Sequence, residues 1–227
     1  MNRHLTCAAA AALILLAGAS SASAQFGGLK GLKAMALPNG GGGGGDIDAF
    51  LVSTQRGEDL TRVSSLALLE AVSSHEEAQK LRDTMQAAQA LPDPKEREAA
   101  LRQVTSDAAA KLAAVDFETK SKDLERTASA EQRKQVGVSV YNLALAILID
   151  HQAVEQAHGI TQSAASNPIG MATQGAKLLK VKDAAASIGG QMTNLAKIST
   201  GLPKLMSVAK LTALPTSTAD QPKSAAD

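Results

Sequence analysis

The residues best spaced for chemistry are His151, Glu155 and His158, at i, i+4 and i+7, which would project from roughly one face of a helix. Imidazole and carboxylate both bind divalent metals. Glu155-Gln156-Ala157-His158 also has the Glu-x-x-His spacing that di-iron bundles repeat on facing helices. Those bundles need a second copy, and this chain has none, because His75 has Val72 three residues before it. A single copy does not close a metal site, so the three are expected to be polar residues on the exposed end of a helix.

Other reaction motifs fail on inspection. Gly137-Val138-Ser139-Val140 is followed by Tyr141, so there is no Gly-x-Ser-x-Gly elbow. Gly170 to Gly175 has the glycine spacing of a phosphate loop, but Ala176 stands where the lysine belongs, Leu178 follows Lys177, and no strand precedes it. The glycine run Gly40 to Gly45 matches a dinucleotide fingerprint only trivially. No catalytic, cofactor-binding or metal-ligating residue is assigned, and the chain is read as a non-enzyme.

The compartment comes from the first residues. Arg3 and His4 precede the apolar stretch Ala8 to Ala17, and small residues follow up to Ala22-Ser23-Ala24. This is the pattern of a cleavable secretory signal over residues 1–24, with an apolar core about half the length of a membrane-spanning helix. Leu16-Ala17-Gly18 starts like a lipobox, but Ala19 occupies the position of the acylated cysteine. The one cysteine, Cys7, lies before the apolar core, so the mature chain has no thiol chemistry or disulfide. Export to the periplasm is expected, with the extracellular space as the alternative.

Composition bounds the rest. The 227 residues carry 23 Lys+Arg against 22 Asp+Glu. Aromatic residues are 2% of the chain, with Phe26, Phe50, Phe117, Tyr141 and no tryptophan. Binders of single-stranded nucleic acid stack bases on aromatics along a basic groove, and neither feature is visible, so nucleic acid is set aside as a partner.

The elements that must position any functional residue are helical. Residues 25–45 read as a flexible arm and glycine linker, since a glycine run loses the most backbone entropy on ordering. A first pattern starts at Asp46 and carries Ile47, Phe50, Leu51, Leu60, Val63, Leu66, Leu69 and Val72 near a 3.6 period. Ser74 with Glu77 forms a capping-box sequence where the chain can break and restart. Asp93-Pro94-Lys95-Glu96 is a second start signal, followed by Leu101, Val104, Ala108, Leu112 and Val115. Ser129 with Gln132 offers another cap within or after that helix.

The third pattern is the most apolar. It runs from Val136 to Ile149 with Ser139, Tyr141 and Asn142 as its polar members, and at about fourteen residues it is too short to span a bilayer. A buried central helix is the expectation. Asn167-Pro168-Ile169-Gly170 breaks the chain. The fourth pattern, Leu178, Val181, Ala185, Ile188, Met192, Leu195 and Leu202, is a heptad-like seam. Gly189 and Gly190 interrupt it at roughly 1 kcal/mol each relative to alanine, and Gly201 with Pro203 should kink or end it. Residues 214–227 lack apolar periodicity and read as a disordered tail. The fold expected is all-α: an up-down bundle of four or five long Ala-rich helices over residues 46–213.

Charge is segregated along the chain. From Asp46 to Glu131 there are 17 acidic and 11 basic residues, whereas Lys177, Lys180, Lys182, Lys197, Lys204 and Lys210 face Asp183 alone between Lys177 and Leu211. Either the acidic and basic helices satisfy each other across the bundle, or a basic amphipathic surface is left for an acidic partner or anionic lipid. The function expected is that of a non-catalytic cell-envelope protein binding a protein partner or an anionic membrane surface through helical faces. The alternative is a helical carrier enclosing an apolar ligand.

The exported form is expected to begin at Gln25 and carry no lipid. Intact-mass measurement checks this, and a diacylated or uncleaved mass would refute it.

Overall fold

The computed structural model describes residues 44–166 and 174–224. The signal sequence, nearly all of the arm, the break at Asn167-Pro168-Ile169-Gly170 and the last three residues lie outside them. Among the described residues there are six helices and no strand. They are α1 (Gly44–Val72), α2 (His75–Gln89), α3 (Pro94–Ala113), α4 (Phe117–Thr127), α5 (Ala130–Ser166) and α6 (Gly175–Ala209). The all-helical expectation is met, with more helices than the four or five read from periodicity. Helix α1 also takes in the last two glycines of the linker.

The additional helices begin at side-chain caps. At Ser74 the hydroxyl accepts from Glu77 N at 3.3 Å, and the Glu77 carboxylate accepts from Ser74 N at 3.0 Å, which separates α2 from α1. Asp93 accepts from Lys95 N and Glu96 N, both at 2.9 Å, with Pro94 at the first helical position. Asp116 does the same for Glu118 N and Thr119 N, splitting the expected second helix into α3 and α4. That cap hides in sequence because the apolar residues Val115 and Phe117 flank it. Ser129 and Gln132 exchange reciprocal bonds of 2.9 and 3.1 Å and start α5. Each cap satisfies backbone N–H groups that a helix start leaves without partners.

Two expectations about length are corrected. The central helix spans 37 residues rather than about fourteen, because polar flanks on both sides continue its hydrogen bonding. Among the described residues α5 alone is long and apolar enough to cross a membrane, and 67% of its apolar window is buried inside the protein. Helix α6 runs through Gly201 and Pro203 instead of ending there. The proline forfeits one backbone bond, while buried Leu202, Leu205 and Val208 hold the turns on either side against the core. The helix closes at Lys210, which is left-handed (φ 53°, ψ 35°), with Leu211 N donating to Met206 O at 3.0 Å.

Helices α1, α5 and α6 form the centre. Ile47 and Phe50 of α1 cluster with Ala153, Ala157 and Ile160 of α5, and Leu60 clusters with Leu145, Ala146 and Ile149, so α1 and α5 are antiparallel. Val181 and Ile188 of α6 close one end of the core. At the other end Leu68, Leu112, Leu143, Leu195 and Ile198 bring α1, α3, α5 and α6 together. Each such fully buried side chain contributes about 1.5–3 kcal/mol.

Two glycines of α6 differ in their surroundings. A Cβ on Gly201 would lie 2.2–2.8 Å from three ring atoms of Phe117, so that ring rests on the helix backbone. A Cβ on Gly190 would meet nothing within 4 Å. Gly190→Ala is therefore expected to stabilise the fold by about 1 kcal/mol through helix propensity. Gly201→Ala is expected to destabilise it by about 1–2 kcal/mol, because overpacking outweighs the same gain. Paired urea titrations measure both signs.

Candidate functional site

The structure puts His151 and Glu155 on the solvent side of α5, 3.6 Å apart between Nδ1 and Oε1, and leaves His158 exposed on the same helix. Among the described residues no group of three or more His, Cys, Asp and Glu is placed to hold a metal ion. His75 stands exposed at the first turn of α2. Ser139 is buried in α5 and donates to Gln135 O at 2.9 Å.

The C-terminal residues depart from expectation. Up to Ser224 the tail is folded back on the bundle rather than disordered, and the reason is polar. The Asp220 carboxylate accepts from Thr216 N and Ser217 N at 2.9 and 3.2 Å, which closes a turn. Asn142, fully buried in α5, donates Nδ2–H to Lys223 O at 2.9 Å and accepts from Lys223 N at 2.8 Å. One side-chain amide thus pairs with both backbone groups of one residue, as a neighbouring strand would. The Arg56 guanidinium of α1, 2% exposed, donates to Asp220 O at 3.2 Å. Lys223 Nζ lies 4.3 Å from the centre of the Tyr141 ring, and Pro222 is buried. Side-chain-to-backbone bonds of this kind leave no apolar period to read.

The returning tail forms one wall of a partly open cleft of about 850 Å³. Its other walls are the start of α5 (Arg133, Lys134, Gly137 and Val138) and the end of α6 (Ala209, Lys210 and Leu211). That volume is in the range of small-molecule sites. Four cations line it, Arg133, Lys134, Lys210 and Lys223, and among the described residues no acidic side chain does.

Elsewhere the acidic and basic helices do answer each other. Lys177 of α6 pairs with Asp48 of α1 at 2.8 Å, and Lys204 pairs with Glu118 of α4. Lys122 and Lys204 together hold the Glu118 carboxyl down at about 2. The remaining lysines of α6, Lys180, Lys182 and Lys197, and Lys210 just beyond it, form no ion pair among the described residues.

One acid pair, buried Asp150 and half-buried Glu58, was not singled out by spacing. Asp150 of α5 is 2% exposed and sits against Gly57 of α1, where a Cβ would come within 2.4 Å of its Oδ1. Burial, and secondarily the charge of Glu58, raise its carboxyl to about 7. Burial also raises Glu58, against the pull of Arg102 at 3.5 Å. The available signal was an acid directly after Ile149 in an apolar helix, together with glycine between Arg56 and Glu58.

No family model, curated protein or solved structure matches this chain. Its functional reading therefore rests on its own surfaces.

Because the folded pKa of Asp150 lies above the unfolded value of about 3.9, its contribution to stability is fully present below pH 4. It is lost as pH rises through about 7. Melting temperature should therefore fall between pH 5 and pH 8. Asp150→Asn should flatten that fall and stabilise the protein at pH 8, on the order of 2–3 kcal/mol. An unchanged pH slope in thermal melts of the variant would contradict the assignment.

Proposed function

We propose that this is a non-catalytic protein exported to the cell envelope, periplasmic after cleavage at Ala24, that binds an anionic membrane surface through helical faces of an up-down bundle. An acidic protein partner would use the same surface. The observation that carries the reading is at the start of α6. Leu179 is 64% exposed, the one large exposed hydrophobic side chain among the described residues, and Lys180 and Lys182 beside it have no ion-pair partner there. An apolar residue set among uncompensated lysines is the composition of an interfacial helix. Phe26, Leu29, Leu32 and Met35, interleaved with Lys30 and Lys33, supply a second such stretch in the glycine-linked arm. The cleft favours a second reading, a carrier for an apolar ligand.

Sedimentation with vesicles tests the first reading. The mature protein should pellet with vesicles containing anionic lipid, much less with zwitterionic ones, and less at high salt. Leu179→Glu/Lys180→Glu should lower the bound fraction severalfold with unchanged helix content. Equal pelleting of variant and parent, or no pelleting of either, would overturn it.

A further inference from the structure

The cleft between α5, α6 and the tail combines two properties that together select a ligand. Its surface is apolar at Ala128, Val138, Ala209, Leu211 and Pro222, and its charged groups among the described residues are all positive. Among the described residues none of those charges is paired with a carboxylate. Arg133 spends its hydrogen bonds on neutral carbonyls, Nε to Ala128 O at 3.1 Å and Nη2 to Glu125 O at 2.6 Å. Lys223 rests on the Tyr141 ring rather than on a carboxylate. Lys134 and Lys210, both exposed, have neither an ion pair nor a side-chain hydrogen bond among the described residues. By contrast Lys204, five residues before the end of α6, is matched to Glu118.

The backbone also fixes where one of these charges stands. Lys210 is the single non-glycine residue with positive φ among the described residues, a conformation that glycine adopts without cost and lysine does not. Lysine at that position adds charge to the cleft mouth at the expense of backbone ease. The wall opposite is equally determined, because Asn142 holds Lys223 by both its backbone groups.

We propose that this cleft binds one monomeric anionic amphiphile with a single acyl chain. Its chain lies over Val138, Leu211 and Pro222, and its head group is held by Lys134 and Lys210. The proposal rests on the carrier reading and is independent of membrane binding at Leu179.

Dodecanoate below its micellar concentration is the probe, with dodecyl maltoside and dodecyltrimethylammonium as neutral and cationic counterparts of the same chain length. Calorimetry of the full mature chain should show saturable binding of one dodecanoate, with methyl shifts at Val138 and Leu211 in NMR spectra. Lys134→Gln/Lys210→Gly should weaken it at least tenfold without lowering the melting temperature, since both side chains are exposed and glycine suits the left-handed site. Equal binding of the three amphiphiles would leave a carrier but overturn the anionic selectivity. Binding of none of them, or of dodecanoate only as micelles, would overturn both. Dodecanoate binding that the double variant leaves intact would overturn the assignment of the head-group site.

Discussion

The close approach of α1 and α5 at Gly57 is the constraint on which the other contacts depend. Many of the buried residues of α1 are short, including Ser53, Thr54, Gly57, Thr61, Ser64 and Ser65, and α5 contributes buried Ala146, Ala153 and Ala157. Small faces allow two helix axes to pack closely along many turns. The result is a thin seam that buries backbone and hydroxyl as well as hydrocarbon, with the Asp150 carboxyl laid directly on the backbone of α1. Larger side chains gather at the two ends of the seam, around Phe50 and Ile188 at one and Leu112 and Leu195 at the other. The chain can in this way build a sizeable core with almost no aromatic residues.

That economy carries a polar load. Arg56 and Asn142 belong to the same two helices and are almost completely buried, which is tolerable only with hydrogen-bonded partners. The backbone of the C-terminal segment provides them. The seam, the turn closed by Asp220 and the cationic cleft are consequently one construction, in which core helices present polar groups, the tail covers them, and the covering segment becomes the wall of a cavity.

Much of the helical plan was legible in sequence because its signals are local. Ser74 with Glu77, Asp93 with Pro94, and Ser129 with Gln132 place starts that the structure uses. Helical periods identified Ile47, Leu60, Val104 and Leu195 as inward residues, and all are buried. Illegible were the features that depend on distant residues. Asn142 reads as a polar interruption until Lys223, 81 positions later, is brought to it. Gly201 and Pro203 read as breakers because the period says nothing of Phe117, whose ring requires the glycine. Asp116 was hidden by its apolar neighbours. The cleft has no motif at all, since its lysines come from separate helix ends and the tail, and only the tertiary arrangement makes them neighbours.

The docking of Lys223 on Asn142 ties the tail to the central helix. Lys223 lies 81 positions beyond Asn142, so the two hydrogen bonds between them close a loop that contains the end of the central helix, the whole of α6 and the tail. A length of sequence that carries no helix and no apolar period thus shields the Asn142 amide deep in the central helix, and the same stretch, through Pro222, Lys223 and Ser224, gives the cleft its wall.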